Sequence, residues 1–255
     1  MVKKRNSSNM WFKFLLIIFL GIAPPYVYAK DTCVECHKDT KFLVQNKKLF
    51  DYYEIWKDST HDIADVKCVN CHGGDPTKID KDESHKGYFT SFVGDDKEYI
   101  KLIPIRCGKC HNEVLNHFLS SKHYKALKEK GTGPNCVTCH GAMNVGIYKV
   151  SEISRSCEVC HNEETKNNQE IGKVAEGVLH NINILRVYNE WLSSHTIFNE
   201  EKRKKLITLY QDIIFSWHTF NFADIEVRIQ KPLIKARRLT RETLADERKK
   251  KYKKE

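Results

Sequence analysis

The chain has 255 residues, of which 40% are apolar and 30% charged, with a formal charge of +10 and a mean hydropathy of −0.56. A chain this polar makes only a thin core from its own side chains, which excludes an ordinary apolar-cored globule of this length unless something else fills the interior.

Residues 1–29 read as a cleaved export signal. Lys3, Lys4 and Arg5 form a charged start, an apolar run follows from Phe14 to Ala23, and Val27-Tyr28-Ala29 offers a small-residue cleavage site. The apolar stretch from Trp11 to Ala23 contains Lys13 and is followed by Pro24-Pro25. It is too short for a bilayer, which takes about 20 apolar residues. Export predicts a periplasmic or otherwise extracytoplasmic location, with membrane association only through a partner or an uncleaved signal. Removing the signal's four basic residues from +10 leaves +6 on the mature chain. That excess sits in the tail from Glu247 to Glu255, a solvated end or a docking patch for an acidic partner. Nucleic acid is not an expected partner of an exported chain.

All ten cysteines fall in five C-x-x-C-H units: Cys33-Cys36-His37, Cys68-Cys71-His72, Cys107-Cys110-His111, Cys136-Cys139-His140 and Cys157-Cys160-His161. Both thiols of such a unit can add to the vinyl groups on one edge of a haem, and the adjacent histidine becomes the proximal iron ligand. A disulfide framework, a zinc ribbon or a thioredoxin-like pair explains the cysteines but not the trailing histidine. At this chain's histidine frequency, five such coincidences have a chance on the order of 10⁻⁷. The expected cofactors are five covalently bound haem c groups.

Seven histidines remain for the opposite side of the irons. Methionine is nearly excluded, since Met1 and Met10 lie in the signal and Met143 follows His140 too closely. Bis-histidine irons and low potential are therefore expected. Trp56-x-x-Ser59-x-His61 matches Phe118-x-x-Ser121-x-His123, each shortly before a C-x-x-C-H-Gly unit, and Trp191-Leu192-Ser193-Ser194-His195 is a shortened variant. The serine can cap a helix or bond the second imidazole nitrogen. The distal candidates are His61, His123, His85, His180, His218 and His195. His117 shares a short helix with His123 and reads as a surface residue.

The predicted organisation is a five-unit attachment region over 30–171, a helical region over 172–232 that supplies distal ligands, and a basic polar tail over 233–255. Short helices and loops wrap the first region, with turns at Gly73-Gly74-Asp75-Pro76 and Gly131-Thr132-Gly133-Pro134. Helical faces follow at Val178, Ile182, Leu185, Tyr188 and Leu192, and over 200–227 at Leu206, Tyr210, Ile213, Trp217 and Phe220. Pro232 is expected to end the second run, with a polar helix from Leu233 to Tyr252 beyond it. The fold class is mainly α, with long C-terminal helices and a haem-filled core.

The interleaved motifs, Trp56 to Gly73 and their echo Phe118 to Gly141, with the trailing His180 and His218 helices, resemble the multihaem cytochromes c. That family includes the tetrahaem electron acceptor of hydroxylamine oxidoreductase and hydroxylamine-oxidoreductase-like proteins. The resemblance covers roughly residues 31–222 and implies a helical, haem-cored fold with mostly bis-histidine irons. Pentahaem nitrite reductases share the haem number but carry a C-x-x-C-K unit and a longer chain, neither of which is present. The expected function is low-potential electron transfer with other redox proteins as partners: cytochromes, a quinol oxidase module or a terminal reductase. The alternative is an oxidoreductase acting on a small nitrogen or sulfur compound at one five-coordinate haem, for which no catalytic pair is assigned.

Overall fold

Polar composition and recurrent Gly punctuation leave the first half of the chain only short helices. In the computed structural model, which describes residues 31–88, 96–144, 149–195 and 200–252, every regular element is helical, and the described residues contain no strand. The signal segment lies outside the described residues. Helices α1 (Thr32–His37), α2 (Lys41–Gln45), α3 (Lys47–Trp56), α4 (Thr60–Ile63), α5 (Cys68–His72) and α6 (Lys81–Ser84) come first. Then follow α7 (Asp96–Cys107), α8 (Asn112–Leu119), α9 (Lys122–Lys130), α10 (Cys136–His140) and α11 (Val150–Glu158). Three long elements close the chain: α12 (Ile171–Ser194), α13 (Glu200–Ser216) and α14 (Phe222–Tyr252), with a 3₁₀ turn at Trp217–Thr219.

The aromatic-x-x-Ser-x-His motif is a helix-to-helix joint. Trp56 and Phe118 are buried at the ends of α3 and α8. Ser59 and Ser121 then start the next helix, their Oγ atoms accepting from Asp62 N at 3.2 Å and Tyr124 N at 3.0 Å. Of the two roles open to the serine, capping is the one the structure shows, and it fixes each histidine as the second residue of a new helix. The C-x-x-C-H units at α5 and α10 end at Gly73 and Gly141, both at φ 75°, where a side chain would be strained.

Burial divides the molecule in two. The apolar core cluster belongs wholly to the C-terminal elements, with Leu185, Ile225, Ile229 and Ala236 fully buried. Among the described residues before α12, the buried hydrophobic side chains are Trp56, Ile103, Phe118 and Leu127. The long helices form an up-down-up bundle: His195 at the end of α12 lies 3.7 Å from Glu247 near the end of α14, so these two run parallel. Arg228 of α14 pairs with Asp212 of α13 at 2.7 Å across the antiparallel contact.

Two expected boundaries move. The run over 200–227 is broken at Phe220, whose φ of 56° is left-handed; Asn221 then starts α14 by accepting from Asp224 N at 3.4 Å. Pro232 does not end a helix, because α14 continues through it, and residues 233–252 extend the bundle instead of forming a separate tail. A proline inside a helix removes one backbone bond. Here Ile225 and Ile229 before it and Ala236 and Leu239 after it are buried on one face. Tertiary packing on both sides outweighs the local loss.

Candidate metal centres

The five units are strung together in chain order. Burial, then Asp31 and the neighbouring Cys68, push the Cys33 thiol up to about 12. Cys71 is raised by burial and then by Cys107 and Cys110 of the next unit. Cys107 and Cys136 share a side-chain hydrogen bond that holds the Cys136 thiol protonated. Burial, then Cys157, raise Cys139 to about 11. Each unit's thiols therefore lie near those of its successor, first to fifth. All ten cysteines are free thiols, so no disulfide framework is present.

The histidines form pairs across the fold. The ring of His85 lies 6.3 Å from that of His37, His61 lies 6.2 Å from His111, His123 lies 6.1 Å from His161, and His218 lies 6.3 Å from His140. Each pair joins one C-x-x-C-H histidine to one of the remaining seven. The separation is too wide for a ring contact with orbital overlap or a direct hydrogen bond. Two imidazoles held on opposite sides of one metal, with bonds of about 2 Å and a ring-centre offset of about 1.2 Å each, stand roughly 6.4 Å apart.

The ring nitrogens are prepared for such a role. Nδ1 of His85 faces the Lys81 carbonyl at 2.7 Å, that of His161 the Asn167 carbonyl at 2.8 Å, and that of His218 the Ile214 carbonyl at 3.1 Å. An Nδ1–H donated to a carbonyl leaves the Nε2 lone pair free for a ligand. His123 is held differently: its Nδ1 is buried without a hydrogen-bond partner, and its ring packs edge-on against Phe220 at 4.4 Å. Burial first, and then the facing histidine, hold His61, His123 and His218 below the ordinary imidazole value, His218 at about 4. His37 and His140 are lowered by burial as well, and next by His85 and by His111 respectively. These rings stay neutral, the form that binds a metal.

The other expected distal histidines sit elsewhere. His180 is exposed on α12, in a shallow groove with Val150, Ser151, Glu176 and Asn183. His195 ends α12, its ring 3.7 Å from that of Trp191 and its Nδ1 2.6 Å from the Trp191 carbonyl. Neither ring meets a C-x-x-C-H histidine. The shortened motif lacks the serine cap that starts a new helix, and so it delivers its histidine to the bundle's far end. His117 departs from its surface assignment: it is half-buried and close enough to His218 to help lower its pKa. The shared helix expected for His117 and His123 is also broken: the Ser121 cap puts His117 on α8 and His123 on α9.

Among the described residues no three His, Cys, Asp or Glu side chains converge as a metal cage. Facing pairs without a third ligand would suit a metal that brings its own further donors, and the two free thiols beside each such histidine would be available to tether it. No model of a known protein family matches the chain, and neither a curated protein nor a solved structure matches it. The likeness to multihaem cytochromes therefore rests on the interleaved motifs.

Proposed function

We propose that the chain is an exported pentahaem cytochrome c that carries electrons at low potential between redox proteins. The observation that carries this reading is the set of four histidine pairs with ring centres 6.1–6.3 Å apart, wide enough for a metal to sit between them, on units that lie near one another in chain order. Bound haem c would supply a one-electron iron couple at each unit. The residues of the chain do the rest. Cys33 to Cys160 would tether the groups, and His37, His72, His111, His140 and His161 would hold one axial side. His85, His61, His218 and His123 would close the other side at four units, and imidazole on both sides favours low potential. Phe220 packs on the His123 ring, and the apolar packing before α12 is sparse among the described residues, as expected of a region that porphyrin would fill.

The test is intact mass and spin counting on the exported protein. A mass increase of five haem groups is expected, with at least four-fifths of the iron low-spin and indifferent to cyanide. A chain without haem, or a mostly high-spin population that binds cyanide, would overturn the proposal.

A further inference from the structure

The outward face of α14 has a composition the bundle does not need. With 100° per residue, Val227, Lys231, Ile234, Arg238, Arg241 and Tyr252 fall on one narrow stripe. It lies opposite the buried stripe of Ile225, Ile229, Ala236 and Leu239. Val227, Ile234 and Tyr252 are 75%, 69% and 76% exposed. Among the described residues, Lys231, Arg241 and Arg248 make no ion pair, and Arg238 meets only the exposed Glu242 at 3.7 Å. Lys205 of α13 adds to the same field: burial first, then Lys205, Arg238 and Lys231, push the Lys235 ammonium below its ordinary value.

This face is too basic to pair with a second copy of itself, since like charges would meet along its length. It is too apolar for a merely solvated face, which has no use for Val227, Ile234 and Tyr252 in line. Basic and apolar side chains sharing one face over about 37 Å fit a plane with anions at its surface and hydrocarbon beneath. An acidic protein patch would meet the charges and have no use for the apolar row. No described helix is long and apolar enough to cross a membrane, so contact would be lateral.

We propose that the outward face of α14 is a docking surface for an anionic lipid bilayer, with the helix lying along the membrane plane. The docked face points away from the bundle core, and the 3₁₀ turn that carries His218 precedes it. The proposal stands on the outward face of α14 with Lys205 beside it and does not require that the units hold haem.

The test is sedimentation of the full holoprotein with phosphatidylcholine vesicles, with and without phosphatidylglycerol. Binding is expected only with phosphatidylglycerol, and it should weaken as salt rises. Lys231→Gln, Arg238→Gln and Arg241→Gln should each weaken it about fivefold. Val227→Ser with Ile234→Ser should weaken it several-fold while the salt dependence remains. These positions are exposed, and unchanged helicity and visible spectrum check that each variant folds. No binding to phosphatidylglycerol vesicles, or binding untouched by the triple glutamine variant, overturns the proposal. Competition by soluble polyglutamate together with indifference to Val227→Ser and Ile234→Ser also overturns it, and marks the face as a site for an acidic protein.

Discussion

Replacing all ten cysteines by serine should yield a chain that is half folded, and in a specified half. The magnitude follows from where apolar side chains are buried. Among the described residues between 31 and 161 the buried hydrophobic side chains, apart from Pro104, are Trp56, Ile103, Phe118 and Leu127, or about one per thirty residues, far below what holds a domain of that length. Between Ala175 and Leu239 there are fourteen, about one per five residues. The three long helices, of 24, 17 and 31 residues, hold about half of the helical residues described. Far-ultraviolet circular dichroism of the serine chain should therefore show helical ellipticity reduced to about half that of the holoprotein. Hydrogen exchange should place the surviving protection on 175–239, with amides of 31–161 exchanging almost as in an unfolded chain. Full helicity with uniform protection would refute the reasoning, because the N-terminal half would then have a core of its own.

Histidine substitutions separate the paired rings from the others. His218→Ala and His123→Ala should each turn about one-fifth of the iron high-spin and open it to cyanide, as read by spin counting. His180→Ala and His195→Ala should leave the low-spin signal unchanged. Ser121→Ala removes the cap of α9 and should cost about 1 kcal/mol, lowering the melting temperature by about 2–4 °C, whereas Ser121→Thr recovers part of the loss. Ile225→Ala, at a fully buried position, should cost about 2–5 kcal/mol in denaturant unfolding. Arg228→Ala should cost less than about 1 kcal/mol, since its pairs with Asp212 and Asp224 are solvent-screened.

Local chemistry was legible in the sequence wherever one short segment decides it. The C-x-x-C-H units, the Ser59 and Ser121 joints and the faces of α12 and α13 depend on spacing within a turn or two. The pairing of histidines does not. His61 faces His111, beyond the intervening unit at Cys68, and His123 faces His161 beyond Cys136. Such choices are made by tertiary packing, as when Phe118 packs against Phe220 and Phe220 in turn against the His123 ring. His195 shows the converse. It shares the aromatic and serine neighbours of His61, but at the C-terminal end of a helix, where the same residue types aim the ring elsewhere. Pro232 was misread because its local cost is visible in sequence, while the buried face that offsets it is assembled from two other helices.

The crossed pairing also sets a schedule for the growing chain. As residues emerge from the N-terminal end, the partner of His37 arrives with His85, that of His61 with His111, and that of His123 with His161. His140 alone must wait for a residue 78 positions further on, His218, which comes into place only when α13 has been made and turned back. The fourth unit is the last to acquire its facing ring although it is not the last in sequence. Once its units are loaded, a chain truncated before residue 218 would hold three facing pairs and leave His140 without its partner.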